Sequence, residues 1–250
     1  MGLQSSSNTL ETFKVGIYPS SAVAKGLLSG LLWYYKLDEL SGTRDDSGTN
    51  NLDLTESGSV GTALGIISTS ARFPGTANNL LKKGFVSQYN FSSTDFTWAG
   101  WFKINANNSN HMMIYIGTGG ILTADRVIDF EYLTSSDTVR VTIGDGDAFS
   151  GLSQDVGGSI PVGTFVFFAI RWDTTTELLE LRLNAQAFAS ATIFHGIQSS
   201  GTQNFTLGAT DSGLFDTDGD LDELGGWDRK LTDNEINYLY NNGSANRPDF

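Results

Sequence analysis

From His111 to Gln186 the chain passes through five short β-type runs, HMMIYIGTGG, RVIDFEYL, VRVTIGDGD, TFVFFAIRWD and ELLELRLNAQ, with no helical pattern between any two. Each run is bounded by Gly, Asp, Asn or Ser. Consecutive strands without intervening helices argue for an antiparallel meander or sandwich. FTWAGWFKI, Phe96 to Ile104, is apolar on both faces, the pattern of a central strand covered on both sides. LLWYYKLDELSG opens the series at Leu31, with Trp33, Tyr35 and Leu37 on one face, and FTLGA and DLDELGGW complete it. Twenty-nine glycines and four prolines suit many strands joined by tight turns. At 250 residues the chain can bury a sizeable core as one all-β domain.

The stretch Gly219 to Gly243, GDLDELGGWDRKLTDNEINYLYNNG, joins the last strand to a helix whose start signals agree with one another. Thr232 is placed to cap it, and Glu235, three residues on, can return a hydrogen bond to the Thr232 amide. Leu231 and Ile236 are placed to staple the entry. Gly243 stands where a helix stops. Ile236, Leu239 and Tyr240 form one apolar stripe, so the helix is expected to lie against the sandwich.

These segments resemble the laminin G-like, or concanavalin A-like, jelly-roll family. The likeness is carried by WYYKLDELSG followed by DDSG, ARFPG, FTWAGWFKI, GTFVFFAIRWD with LRLNAQ, and LDELGGWDRKLTDNEINYLYNNG, and it spans roughly residues 31 to 243. It implies an all-β, antiparallel two-sheet sandwich with a short C-terminal helix, a concave face, and first and last strands that pair. It also implies a structural calcium ion, whose ligands on the family pattern fall at Glu39, Asp46 and Asp222. Calcium takes about six to eight oxygens, which carboxylates and loop carbonyls supply without His or Cys. Solvated turn acids are the alternative reading, and Asp38 beside them reads as a turn acceptor.

Other acidic stretches are weaker. FDTDGDLDE fails the EF-hand pattern, because glycine falls at the fourth place and Trp227 stands at the twelfth. Asp218-Gly219 reads as a hairpin turn, which leaves Asp222 on the strand. GDGDAFSG places Asp145 and Asp147 on an expected rim loop, as a second metal site, a ligand contact or a solvated turn. The Glu-x-Asp-x-x-Glu strand of concanavalin A-like glucanases is absent. Asp129 and Glu131 share one face without a third acid, whereas glycoside hydrolysis needs two carboxylates flanking the scissile bond. His111 and His195 lack catalytic partners, and no nucleophile elbow or P-loop is present. No catalytic residue is assigned. All five tryptophans lie in strand-like runs among apolar neighbours, so most read as core, while Tyr115, Tyr132 and Phe149 fall nearer the rim.

A formal charge of −13 disfavours nucleic acid and anionic membrane partners. No run of about 18 apolar residues is present, so membrane insertion is not expected. The opening MGLQSSSNTLETFKVG shows no signal-peptide pattern. The expectation is an extracellular or virion-surface protein whose signal has been removed or that leaves its cell by another route. Residues 1 to 30 read as an arm, either docked to a neighbouring subunit, such as a capsid or tail protein, or packed against its own sandwich. The domain proper is 31 to 250. The expected function is a non-catalytic recognition or adhesion module for a cell-surface glycan or polysaccharide, displayed in one version on a virus particle. A purely structural virion subunit is the alternative, and a glycan-active enzyme stands third.

Overall fold

The computed structural model describes residues 20–120, 126–144, 148–155, 157–197 and 201–250. The described residues form fifteen strands and two α-helices. In chain order they are α1 (Ser20–Gly26), β1 (Leu31–Tyr35), β2 (Thr55–Ser57), β3 (Gly61–Leu64), β4 (Thr69–Pro74), β5 (Leu80–Lys83) and β6 (Phe96–Ile104). Then come β7 (His111–Gly117), β8 (Arg126–Leu133), β9 (Thr138–Gly144), β10 (Phe149–Gln154), β11 (Val166–Asp173), β12 (Leu178–Leu183), β13 (Ala189–Thr192), β14 (Asn204–Leu207), β15 (Asp218–Trp227) and α2 (Asp233–Tyr240).

Two antiparallel sheets form a sandwich. One runs β13-β12-β11-β6-β15-β4-β3, with β1 added on β15, and the other runs β10-β9-β8-β7-β14-β5-β2. The β7 to β10 run is a meander in one sheet and β11 to β13 a meander in the other, as the uninterrupted strands require. First and last strands pair, with Tyr34 opposite Gly225 and Tyr35 opposite Leu224. β6 lies between β11 and β15 with eight of its nine residues buried, hence its apolar character on both faces.

Alternation sorts the side chains. Ile128, Phe130 and Tyr132 of β8, Val139, Val141 and Ile143 of β9, and Phe168 and Ile170 of β11 point into the shared core. All five tryptophans are buried. Trp33 stacks on Tyr35 at 5.3 Å and packs against Phe205 at 5.1 Å and Trp98 at 6.2 Å. The glycine pair in DELGGW makes room for rings. A Cβ on Gly226 would enter the Trp33 indole, and one on Gly225 would strike Trp227 and, at 2.9 Å, Tyr34.

The outward side of the eight-stranded sheet carries a second apolar cluster of Tyr34, Ala99, Trp101, Phe167 and Trp227, which Leu27, Leu231, Ile236, Leu239 and Ala245 cover. The α2 start is built as its residues dictate. Glu235 N–H donates to Thr232 Oγ1, the Thr232 amide donates to Glu235 Oε2 at 2.8 Å, and Leu231 and Ile236 are both buried. The helix stops at Tyr240, with Asn241 in the left-handed region at φ 43°, two residues before Gly243.

One expectation changes. Asp218-Gly219 is no turn, because both residues sit inside β15, paired with Pro74 and Phe73. Gly219 serves close strand approach, since a Cβ there would strike the Lys103 carbonyl. Residues 20–30 also belong to the fold. Leu27 is fully buried, its carbonyl accepts from Trp227 Nε1 at 2.7 Å, and the Arg229 guanidinium donates to the carbonyls of Gly26 and Ser29.

Candidate functional site

The structure does not gather Glu39, Asp46 and Asp222 around one point. Among the described residues no group of three acidic or His side chains is spaced to hold a metal ion. Each acid serves the backbone. Asp46 accepts from the amides of Tyr34 (2.9 Å), Gly48 (2.9 Å) and Leu52 (3.0 Å), which ties the DDSG turn onto β1. Glu39 Oε1 accepts from the Asp45 amide at 2.9 Å. Asp222 Oδ2 accepts from the Ile66 amide at 2.7 Å and the Ile67 amide at 3.3 Å. Burial first, then the charge of Glu223, pushes the Asp222 carboxyl up to about 8. Calcium takes about six to eight oxygens, and carboxylates that do not converge cannot supply them, so the three residues as placed do not fit that ion. Asp145 and Asp147 lie outside the described residues.

The outward side of the seven-stranded sheet is built differently. Where Ile114, Ile116, Ile128, Phe130, Val141 and Phe205 point into the core, their neighbours point outward. Strand register sets Lys82, Thr206, Tyr115, Asp129, Thr142 and Gly151 in one row across six strands. With neighbouring strands about 4.8 Å apart, that row is roughly 24 Å long. Met112, Glu131, Arg140 and Ser153 form the next row.

Four charges interlock at its centre. Arg126 reaches Asp129 at 3.2 Å and Glu131 at 3.8 Å, while Arg140 donates through Nε and Nη2 to Glu131 Oε1, at 3.1 and 2.5 Å. Asp129 and Glu131 are buried. Burial pushes the Asp129 carboxyl up to about 7, against the pull of Arg126 and with the Glu131 charge adding to the rise. The accessible chemistry lies at the rim. The Arg140 side chain is 30% exposed, that of Lys82 39%, and Phe149 44%, its ring 5.1 Å from the Arg126 guanidinium. Gly151 permits this presentation, since a Cβ there would press on Arg140 Cδ and Cγ at 3.1 and 3.2 Å. The Arg140 stem therefore lies across β10 with its head fixed by Glu131.

Of the three aromatic residues expected at the rim, Phe149 is exposed, while Tyr115 and Tyr132 are buried. Tyr132 shares the inward face of β8, and its hydroxyl donates to Asp137 at 2.9 Å. Tyr115 points outward, but its hydroxyl donates to the Gly120 carbonyl at 2.6 Å. His111 is structural, its Nε2 donating to the Ala106 carbonyl at 2.8 Å and its Nδ1 accepting from the Asp218 amide at 3.1 Å. Arg126 and Arg140 carry this face and were not foreseen. The alternation of VRVTIG does mark Arg140 as outward, but its partner Glu131 belongs to another strand.

A family model described as the concanavalin A-like lectin/glucanases superfamily matches residues 82–237. The chain belongs to that superfamily. No curated protein sequence matches it. Among solved structures, this superfamily member is similar to the binding domain of Paraclostridial Mosquitocidal Protein 1, at 16% identity and a TM-score of 0.67 over 86% of this chain and 52% of that one. A second is from botulinum neurotoxin type C, whose cell entry depends on interaction with two ganglioside molecules, at 13% identity and a TM-score of 0.65 over 86% and 52%. A third is domain 4 of AbnA, an extracellular arabinanase from Geobacillus stearothermophilus, in complex with arabinotriose. It gives 17% identity and a TM-score of 0.63 over 87% of this chain and 99% of that domain. The chain spans about half the length of the toxin structures it matches. At these identities the likeness shows a shared jelly-roll fold.

Proposed function

We propose that this chain is a non-catalytic glycan-binding module whose ligand lies across the outward face of the seven-stranded sheet, against Phe149, Arg140 and Lys82. The observation that carries this reading is the contrast between the faces. One sheet is covered by helices, while the other buries the middle of its outward rows, Thr206, Tyr115, Asp129, Thr142 and Glu131, and offers solvent the Arg140 and Lys82 side chains and the Phe149 ring at its rim. Sugar hydroxyls both donate and accept, and aromatic rings supply stacking surface, so such a face suits a saccharide. The gangliosides and arabinotriose bound by structural neighbours support the same ligand class. Binding in place of hydrolysis is supported by the burial of both strand acids, Asp129 and Glu131, which keeps them out of reach of a glycosidic bond lying on the face.

A glycan array followed by titration calorimetry tests the proposal. Binding that weakens in Phe149→Ala and Arg140→Ala, with no release of reducing ends, supports it. An array blank across surface polysaccharides sinks the glycan reading, and turnover of a bound oligosaccharide sinks the non-catalytic one.

Display on a virus particle or exported surface, with the arm docked to capsid or tail proteins, is the finer part of this proposal. Weak sites multiplied by many copies would suit it. Its test is incorporation into particles of chains shortened before Ser20, since Leu27 is part of the fold. No helix among the described residues is long and apolar enough to cross a membrane.

A further inference from the structure

The seam between the first and last strands concentrates acid, and the reason is local. Leu221 and Leu224 both point into the core although they stand three positions apart, an odd spacing that alternation would send to opposite faces. A bulge between Asp222 and Gly225, with Glu223 in the left-handed region at φ 52°, absorbs the extra residue. Two consecutive acids, Asp222 and Glu223, thereby face outward together, and Asp38 approaches from the end of β1. Three carboxyls at one spot need a counter-charge.

The segment after α2 delivers one. Ala245 is buried in the outer cluster, the Asn246 amide donates to the Leu239 carbonyl at 3.1 Å, and its side-chain amide donates to the Tyr238 carbonyl at 3.0 Å. This path brings Arg247 over the seam. Its Nε donates to both Glu223 oxygens, at 2.7 and 2.8 Å, and its Nη2 donates to Asp38 Oδ2 at 2.7 Å and to Glu223 Oε1. Tyr34 Oη adds a bond to Glu223 Oε2 at 2.7 Å, and the Phe250 ring meets the Tyr34 ring edge-on at 5.2 Å. Glu223, 3% exposed, therefore has Arg247 and Tyr34 as partners in place of water. Of the acids that the family likeness gives to calcium, Asp46 spends both oxygens on backbone amides, while Glu39 and Asp222 spend one each and keep Oε2 and Oδ1 buried without a hydrogen-bond partner among the described residues.

We propose that Arg247 is the resident cation of this seam, holding in this domain the electrostatic role that the family likeness gives to calcium, so that the sandwich closes without a divalent ion. A planar guanidinium fits the site better than calcium does. It bridges two carboxylates with directed donors, whereas calcium would need about six to eight oxygens.

Melting of the full chain tests this. Calcium and a chelator should leave the wild-type midpoint within about 1 °C of each other, while Arg247→Gln lowers it by roughly 5–10 °C. Adding Glu223→Gln to Arg247→Gln should recover about half of that loss, because the buried carboxylate no longer lacks a cation. A chelator-induced drop of several degrees in the wild type overturns the proposal. So does a double variant that melts no higher than the single one, since Arg247 would then act through packing alone. If Arg247→Gln does not fold, Arg247→Lys replaces it. That variant keeps the charge without the fork, and it should melt a few degrees low with no response to calcium. A calcium-dependent midpoint in the lysine variant counts against the assignment.

Discussion

The two sheets share one core, yet their outward faces have opposite fates. The eight-stranded sheet turns Trp101, Phe167 and Trp227 outward, and these rings need cover. Tyr240 of α2 stacks on Trp101 at 5.9 Å, and Arg171 pins the helix start by donating to Asp233 at 2.7 Å and to the Leu231 carbonyl at 3.2 Å. The seven-stranded sheet turns Asp129, Glu131, Arg140 and Thr142 outward, and Phe149 at its rim stays 44% exposed. Inward residues of both sheets follow the same period of two and decide the fold. The outward half of each strand then decides whether a face is structural or available for recognition. By that division the helix motif is scaffold, however conspicuous in sequence.

The strongest way to break this division is to damage the covered face and look for an effect on the other. Ile236→Ala removes a fully buried side chain between α2 and the sheet and should cost about 2–5 kcal/mol, read from the denaturant midpoint. Glycan affinity of the folded fraction should stay where it was. A parallel loss of affinity would mean that the faces are coupled and that the helix belongs to the site.

A smaller effect distinguishes the faces by pH. The Asp129 carboxyl sits near 7 in the folded chain and near 3.8 when unfolded, because burial disfavours its charge. The folded state therefore holds a proton that the unfolded state has released between those values. The stability it represents is present in full below about pH 4 and is lost as pH rises to about 7. Asp129→Asn cannot titrate, so the difference in urea midpoint between pH 5 and pH 8 should shrink by an amount worth roughly 1–3 kcal/mol. An unchanged difference would show that Arg126 keeps Asp129 ionised throughout.

What could be read from the residues was local or periodic. The strands of the two meanders, the central place of β6 and the capping box depend on neighbours within a few positions or on strict alternation. RVIDFEYL even places Tyr132 inward with Ile128 and Phe130, so its expected rim position ran against a pattern already visible. What stayed hidden depended on distant chain. Asp222 accepts from amides more than 150 residues away, and Glu223 is served by Arg247 across a bulge that no periodic reading anticipates. Asp218-Gly219 has turn chemistry, but pairing with β4 draws both residues into a strand. The seven residues of α1 are too few to show a period, and packing against α2 supports them. The dispersal of Glu39, Asp46 and Asp222 was hidden for the same reason. Acid residues mark where a cation could be needed, and only the fold decides which partner arrives.

The cap at α2 offers a finer probe of the covered face. Thr232→Ala removes the Oγ1 acceptor for the Glu235 amide and should cost about 1 kcal/mol, with binding unchanged.

The smallest expected change in stability sharpens the contrast most. Phe149→Ala alters a side chain at the edge of β10 that packs on Arg126 and is otherwise open to solvent, so its unfolding midpoint should move by less than about 0.5 kcal/mol. If a sugar ring stacks there, affinity should fall about two- to tenfold, since an aromatic stacking contact is worth roughly 0.5–1.5 kcal/mol. Stability loss without affinity loss would reassign Phe149 to holding Arg126 in place, and the ligand would then have to be sought elsewhere on the sandwich. Affinity loss at constant stability would separate recognition from scaffold at a single residue, as Ile236→Ala should do in the opposite sense.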